Sequence, residues 1–279
     1  MEFAEQYFSN DVIAGLFVVV LVCLMLPVFY LIFYTVKKKI DLVTTALGIL
    51  GYLLFGYLLS GFLLGAVSGM GGEPMPTALL RSLCVAAAEG GGAFVALYFL
   101  RRRADELATP ISYPLGYTLI DVFLLRGIVS GVGNLGTAYT VNSVGLEAFM
   151  ANVAPENQAA MLEQLQRLQS LEPYKNYFSA VDCACIFLLF VAMCRILWYA
   201  VKQEGSRRVL LLVLGLAFRF AAELPTAFYQ LGGTENYILC EAIRYAVTAL
   251  CVVTAVLLHF RYDEKQRVRD DPVNRRMPR

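Results

Sequence analysis

The sequence contains little charge and only one histidine. Asp, Glu, Lys and Arg make up 16% of the 279 residues, whereas 58% of the residues are hydrophobic. A typical soluble domain is about 45–50% apolar and about 25% charged, so the composition excludes an ordinary soluble enzyme. A zinc site normally needs three or four converging His, Cys or carboxylate groups. With His259 as the single histidine, we expect no bound metal and no other cofactor, and we interpret His259 as an interfacial residue.

Three common signatures are also missing. The first eleven residues contain three acids and no base, and the apolar run that follows is too long for a cleaved signal peptide. The seven cysteines are odd in number and all lie in apolar runs, which argues against a disulfide framework. There is no P-loop, no dinucleotide fingerprint and no basic groove with interleaved aromatic residues. We therefore expect no nucleic-acid partner.

Long apolar runs dominate what the sequence does contain. A helix needs about 20 apolar residues to cross a hydrocarbon core of about 30 Å. These runs are too long and too uniformly apolar to be the alternating strands of a membrane barrel. We predict an all-α fold, a polytopic membrane bundle of about seven transmembrane helices. The predicted spans are 13–36, 42–67, 79–100, 115–137, 178–201, 209–231 and 238–260.

Lys and Arg collect after alternate predicted spans. Short cytoplasmic loops hold positive charge back from translocation, so this asymmetry predicts the orientation. We predict an N-terminus outside and a C-terminus in the cytoplasm, in a multi-pass protein of the cell membrane that contacts the lipid bilayer. The basic clusters lie at 37–39, 101–103, 202–208 and 261–279.

No linker or break in composition divides the chain. We predict a single transmembrane helical domain over 1–262 and a flexible cytoplasmic tail over 263–279. The segment 155–172 begins at a proline and carries apolar residues at helical spacing, which predicts an amphipathic helix at the outer face. We interpret it as a cap rather than as a substrate lid. Its apolar stripe consists of Met161, Leu162, Leu165, Leu168 and Leu171.

Small residues recur every four positions in three spans. This pattern predicts close helix contacts along those faces and carries little functional information. The stripes are Gly61, Gly65 and Gly69 in span two, Ala88, Gly92 and Ala96 in span three, and Gly127 and Gly131 in span four.

Charged residues within the spans are the main functional signal. A central Arg or Asp costs about 2.5–3.5 kcal/mol on insertion scales, so such residues normally face the bundle interior and pair. Arg219 and Glu223 are four apart, and Glu241 and Arg244 are three apart, so each set can pair on one helical face. The charged residues at bilayer depth are Glu89, Asp121, Arg126, Asp182, Arg195, Arg219, Glu223, Glu241 and Arg244.

These charges allow a functional and a structural interpretation. In the first, they line a buried polar cavity whose carboxylates act as a general base or bind a polar ligand. In the second, ion pairs fix the register of the helices without any chemistry. We expect spans three, four and six to place Glu89, Asp121 and Arg219 around a common interior.

Four segments follow one another in order: AAAEGGGAFVALYFLRRR, YPLGYTLIDVFLLRGIVSGVGNLGTAYTVNSVG, SAVDCACIFLLFVAMCRILWYAV and LAFRFAAELPTAFYQLGG. In this order and at this spacing they resemble the YhfC family of glutamic-type intramembrane proteases. That family belongs with the CAAX-processing proteases and the APH subunit of γ-secretase. The resemblance covers about residues 80–232 and implies a membrane bundle with a protease-like site.

The resemblance assigns site residues motif by motif. The family's Glu-Glu-x-x-Arg motif keeps its first acid as Glu89. In the Gly-His-Gly-x-x-Glu motif, Tyr117 stands for the His and Asp121 for the Glu. In the His-x-x-x-Asp motif, Arg219 stands for the His and Glu223 for the Asp. The resemblance therefore implies a candidate remnant catalytic site made of these five residues.

Asp182 keeps an acid at a fourth motif, but both motif histidines are gone. An arginine cannot shuttle protons near pH 7, and a pair with Arg219 would keep Glu223 ionised and occupied. We therefore favour a degenerate member, a pseudoprotease that acts as a scaffold or binds a membrane protein or peptide partner. Two alternatives stay open. One is an active intramembrane peptidase that uses Glu89 and Asp121, and the other is a small transporter or receptor for an anionic or zwitterionic ligand.

Overall fold

Every regular element of the described chain is helical. The computed structural model describes residues 7–37, 39–69, 72–101 and 108–270, with side chains described up to 261. Seven helices in these ranges are long and apolar enough to cross a membrane, and no strand occurs there. The predicted all-α multi-pass fold is confirmed. The helices are α1 (Asn10–Val36), α2 (Leu42–Ser68), α3 (Pro74–Leu100), α4 (Thr109–Val144), α5 (Leu146–Ala151), α6 (Pro155–Ser170), α7 (Pro173–Lys202), α8 (Gly205–Gln230) and α9 (Tyr237–Asp270).

Local sequence signals set several helix ends. The Asp41 carboxylate accepts hydrogen bonds at 3.2 Å from the backbone N–H groups of Val43 and Thr44 at the start of α2. These bonds satisfy donors that the first turn of a helix leaves without partners. Pro74 begins α3, where the missing N–H of proline costs nothing. Gly145, with a φ of 85°, separates α4 from α5 and adopts a conformation that favours glycine.

Three membrane-spanning helices contain π-helical segments. These are Tyr52–Leu59 in α2, Ala86–Gly91 in α3 and Leu119–Val132 in α4. A π-helix bonds residue i to i+5, is rare, and occurs frequently at functional sites. Nothing in the apolar periodicity predicts these segments. Glu89 lies in the second of them and Asp121 in the third.

The observed spans agree with the predicted ones apart from their ends. Helix α4 extends beyond the predicted 115–137 on both sides. Helix α9 continues to Asp270, through the first part of the predicted tail, and 271–279 lie outside the described residues. Parts of the basic clusters at 37–39 and 101–103 also lie outside them. The orientation of the chain in the membrane therefore stays a prediction.

The chain divides into two compact units. The first contains Met1–Phe33 and Thr118–Phe187, and the second contains Tyr34–Tyr117 and Leu188–Arg279. In the first unit, Leu165 and Leu168 of α6 are buried in an apolar core. Met161 and Leu171 pack against the same core, so α6 buries the stripe that its sequence predicts, whereas Leu162 is 36% exposed. The core also contains Phe8, Val12, Leu16, Ala138 and Val141.

In the second unit, α8 packs against α3 and α9. Helices α2 and α4 approach each other closely there because Gly116 has no side chain. A Cβ at Gly116 would overlap the carbonyl oxygen of Thr45. Gly92 of α3 leaves room for the ring of Phe55 of α2 in the same way, which confirms a contact predicted from the small residues of span three.

The predicted glycine stripes differ in outcome. Gly127 and Gly131 of α4 lie against side chains of α1, as predicted. The helix contact predicted along Gly61 and Gly65 in α2 is wrong, because a Cβ at either position would meet nothing within 4 Å. The neighbouring Phe62 is 74% exposed, so this part of α2 presents its small residues to lipid rather than to another described helix.

Candidate functional site

A cluster of three charged residues, the Glu89–Arg219–Glu223 cluster, lies in the second unit. Arg219 Nε donates a hydrogen bond to Glu89 Oε2 at 2.8 Å, and Arg219 Nη1 donates to Glu223 Oε2 at 3.0 Å. The three side chains are only 15–19% exposed. The structure therefore brings together three of the five candidate residues, with the arginine between the two acids.

The positions of these residues follow from the contact between α3 and α8. Gly90 follows Glu89 in the π-helical segment, and a Cβ at Gly90 would lie 2.7 Å from Leu216 Cδ2. The missing side chain thus allows α8 to come close to α3 at this point. Arg219 lies one turn after Leu216, and Glu223 lies one turn after Arg219, so both acids reach the same guanidinium.

The cluster carries two acids and one base. A guanidinium is always charged and presents five N–H donors in a fixed fork, which suits it to bridge two carboxylates. With both acids ionised, the cluster has a net charge of −1. Chemically, it can hold α3 and α8 in one register, and it can attract a cationic group to the remaining carboxylate oxygens.

Tyr117 belongs to the same unit as the cluster and is 2% exposed. Its ring stacks on Phe190 with centroids 3.8 Å apart and meets the edge of Tyr52 at 5.0 Å. A Cβ at Gly56 would overlap its hydroxyl oxygen. Tyr117 is therefore held by aromatic contacts, which fix the position of its ring.

Asp121 and Arg126 form a separate ion pair in the first unit. Arg126 Nε lies 3.1 Å from Asp121 Oδ1, and the Arg126 side chain is 46% exposed. In a regular α-helix, neighbours on one face are three or four apart, not five. The π-helical turn of Leu119–Val132 brings these two residues together. Asp182 lies in α7 of the same unit and is half-buried. A common interior for Asp121, Glu89 and Arg219 stays a prediction.

A second buried pair joins Glu241 and Arg244 of α9. Arg244 Nη2 lies 2.7 Å from Glu241 Oε2, and the two side chains are 11% and 3% exposed, respectively. Arg244 Nη1 also donates to Thr226 Oγ1 of α8 at 3.3 Å. Thr226 lies three residues after Glu223, on the same side of α8. This pair therefore ties α9 to the helix that carries Arg219.

Arg195 of α7 has partners that the sequence did not identify. Its Nη2 lies 2.8 Å from His259 Nδ1, and its Nε donates to the Tyr199 hydroxyl at 3.1 Å. The Tyr199 hydroxyl in turn lies 3.2 Å from His259 Nδ1. An arginine can only donate, so His259 Nδ1 accepts, and this geometry assigns the neutral tautomer with its proton on Nε2. The three residues link α7 to α9.

No metal-binding group is present among the described residues. They contain no set of three or more His, Cys, Asp or Glu side chains that could hold a metal ion. The only histidine faces Arg195 and Tyr199. In the Glu89–Arg219–Glu223 cluster, the guanidinium of Arg219 occupies the position between the two carboxylates that a metal cation would need.

Sequence reasoning missed two residues that take part in these polar contacts, and one further arginine whose Nε is buried. Tyr199 and Thr226 are uncharged, so a search for charge at bilayer depth passes over them, although Thr226 shares a helical face with Glu223. Arg81 lies near one end of α3, and its Nε is buried without a hydrogen-bond partner among the described residues. Its place in an apolar run was the available signal.

Comparison with known protein families identifies the family of this chain. The model of a family described as YhfC intramembrane metalloprotease matches residues 22–244, which is most of the chain. No curated protein and no solved structure matches the chain significantly.

Proposed function

Since the chain belongs to the YhfC intramembrane metalloprotease family, we propose that it is a degenerate member. In this proposal it is a multi-pass protein of the cell membrane that binds a membrane protein or peptide partner without cleaving it. The position of Arg219 between Glu89 and Glu223 carries the proposal.

Arg219 supports the proposal on chemical grounds. A carboxylate that activates water must present an oxygen to that water and take its proton. Both acids of the cluster accept a charge-assisted hydrogen bond from Arg219, which favours their ionised form and occupies one oxygen of each. Arg219 cannot take and return a proton near neutral pH. By resemblance it stands where the family has a histidine, the side chain best suited to that task.

The set of potential metal ligands among the described residues also supports the proposal. A catalytic zinc ion is normally held by three protein ligands and keeps a fourth position open for water or substrate. The description of the family implies a metal ion, and the described residues of this chain do not fit one. In the cluster, the positive charge of Arg219 already balances part of the charge of the two acids.

An active intramembrane endopeptidase is the second candidate. Glu89 lies in a π-helical segment, and such segments occur frequently at functional sites. Its side chain is also 17% exposed rather than fully buried. In this scheme Glu89 activates the attacking water, and Arg219 stabilises the negative charge that develops on the carbonyl oxygen.

Cleavage and stability assays on the same proteins separate the two candidates. The full chain is reconstituted in liposomes with transmembrane peptides, with either added Zn²⁺ or a chelator, and products are identified by mass spectrometry. We expect no cleavage by the parent protein. We also expect Glu89→Gln to destabilise the fold by about 1–3 kcal/mol in thermal unfolding, because Arg219 loses a charged partner.

A matched control makes the same chemical change elsewhere. Glu235 is exposed in the loop between α8 and α9, so Glu235→Gln should leave the unfolding midpoint unchanged. Cleavage by the parent, with or without Zn²⁺, that disappears in a stably folded Glu89→Gln protein would overturn the proposal and establish the peptidase.

A further inference from the structure

An apolar groove of about 780 Å³ opens between α2 and α3 of the second unit. Leu47, Leu50 and Leu54 of α2 form one wall, and Ala96, Phe99 and Leu100 of α3 form the other. Its volume falls within the range of about 300–1,000 Å³ that is typical of ligand pockets. Asp41 lies at one end, directly before the first residue of α2. The groove is therefore apolar along its length and charged at its mouth.

The dimensions and the surroundings of the groove favour a lipid chain as its occupant. From Val43 to Leu54 the wall extends about 16 Å along α2 at 1.5 Å per residue. This is close to half of a hydrocarbon core of about 30 Å, so the groove has the depth of one leaflet. In a bilayer, an apolar space of this size does not stay empty, because its lining would forfeit van der Waals contacts.

Asp41 supplies an anionic group at the mouth. Its carboxylate accepts hydrogen bonds from the Thr44 hydroxyl and from the N–H groups of Val43 and Thr44, and the Thr44 hydroxyl holds its pKa below the usual value. Asp41 is therefore ionised at neutral pH. A carboxylate offers about four acceptor positions, and these three bonds leave one for a ligand. Among the described residues, Asp41 forms no ion pair with a lysine or arginine.

Cationic groups lie beside the mouth in the chain. Lys39 precedes Asp41 by two residues, and Arg101 follows Leu100 of the groove wall. The Arg101 guanidinium lies 3.5 Å from the centre of the Tyr98 ring, an arrangement typical of the aromatic and basic residues found at the level of lipid headgroups. The chain thus places one cationic residue within two positions of each of two groove-lining residues, Asp41 and Leu100.

We propose that this groove binds a zwitterionic phospholipid with a primary ammonium headgroup. One acyl chain fills the space between α2 and α3. The ammonium group donates to Asp41, and the phosphate contacts Lys39 and Arg101. Asp41 then provides selectivity, because a glycerol headgroup has no cation to present to it, and a choline headgroup has no N–H to donate.

Native mass spectrometry of the delipidated full chain tests the proposal. The protein in detergent is titrated separately with phosphatidylethanolamine, phosphatidylglycerol and phosphatidylcholine of the same chains. We expect phosphatidylethanolamine to bind about fivefold more tightly than the other two, the factor that an ion pair at the upper end of the surface range gives. Equal affinities for the three lipids would overturn the proposal.

Two variants and one matched control locate the binding. Asp41→Asn keeps a good helix cap and removes the charge, so it should abolish the preference while leaving the unfolding midpoint unchanged. Ala96→Phe fills the groove and should lower the occupancy of every lipid. Val95→Phe places the same ring on a neighbouring residue that is 45% exposed and does not line the groove, and it should bind as the parent does. A preference that survives Asp41→Asn, or equal binding by the two Phe variants, would contradict the assignment.

Discussion

The two units are stabilised by different kinds of contact. In the second unit, buried charges join separate helices, since Glu89 of α3 reaches Arg219 of α8 across 130 positions of sequence. In the first unit, the Asp121–Arg126 pair lies within one helical segment, and Arg126 is 46% exposed. The long-range contacts of the first unit are instead the apolar core beneath α6 and hydrogen bonds of uncharged groups, such as those between the Asn142 amide and the backbone of Phe8.

This difference shows that charges in membrane-spanning segments do not form one class. A buried pair between two helices fixes how those helices pack, and breaking it leaves a charge without a partner in a poorly solvated site. A pair within one segment fixes only its own side chains, and partial exposure lets water or headgroups replace a lost partner. The same residue types should therefore differ widely in their effect on stability.

The largest expected effect is at Arg219. Arg219→Gln leaves Glu89 and Glu223 without their shared cation, and we expect it to destabilise the protein by about 3–5 kcal/mol. The matched change Arg126→Gln should cost less than about 1 kcal/mol, because the Arg126 side chain is 46% exposed and solvent can replace a lost partner. Thermal unfolding of both variants in detergent measures the contrast. Equal shifts of the two midpoints would remove the distinction between the clusters.

The next effect tests the apolar side of the comparison. Leu165→Ala empties a fully buried position of the α6 core, and large-to-small changes of this kind cost about 2–5 kcal/mol. Leu162→Ala on the same helix removes the same atoms from a position that is 36% exposed, and it should cost much less. If Leu162→Ala destabilises as strongly in thermal unfolding, α6 does not pack as described.

The smallest effect concerns the cap of α2. Asp41→Ala should cost about 1 kcal/mol at neutral pH, and Asp41→Asn much less, because asparagine also accepts from the helix N-terminus. Hydrogen bonds from Thr44 lower the folded pKa of Asp41. Its contribution is therefore complete above the pKa of the unfolded chain and is lost as pH falls through the folded pKa. Unfolding midpoints measured between neutral and acidic pH should thus converge for parent and Asp41→Ala. A gap that widens in acid would reverse the sign of this linkage.

The sequence was sufficient for the fold and for the local pairs. Lipid leaves few options to a chain with seven long apolar runs, so the spans follow from hydropathy alone. Arg219 pairs with Glu223, and Glu241 with Arg244, because residues three or four apart share a helical face. Such contacts require no knowledge of tertiary structure.

Contacts between helices were harder to predict. The distance between Glu89 and Arg219 depends on how α3 and α8 rotate against each other, which spacing along either helix does not determine. The Asp121–Arg126 pair needs a π-helical turn that has no recognised sequence pattern here. Gly61 and Gly65 form the same kind of stripe as Gly127 and Gly131, which do contact another helix. Only the fold shows that nothing packs against Gly61 and Gly65. The role of the candidate site as a remnant of catalysis stays a prediction.

The π-helical segment Ala86–Gly91 allows one part of α3 to rotate about the helix axis relative to the other part. Six residues wound with i to i+5 bonds turn through a smaller angle than the same six wound as an α-helix, and the difference is about 100°, one α-helical residue. A return of this segment to α-helical bonding would rotate Gly92–Leu100 by that angle about the helix axis. Glu89 lies within this π-helical segment, and the groove wall formed by Ala96 and Phe99 follows it in α3. A change in the backbone hydrogen bonds of the segment that contains Glu89 would thus rotate the groove wall several residues away. The rotation needs no hinge and no break in the helix.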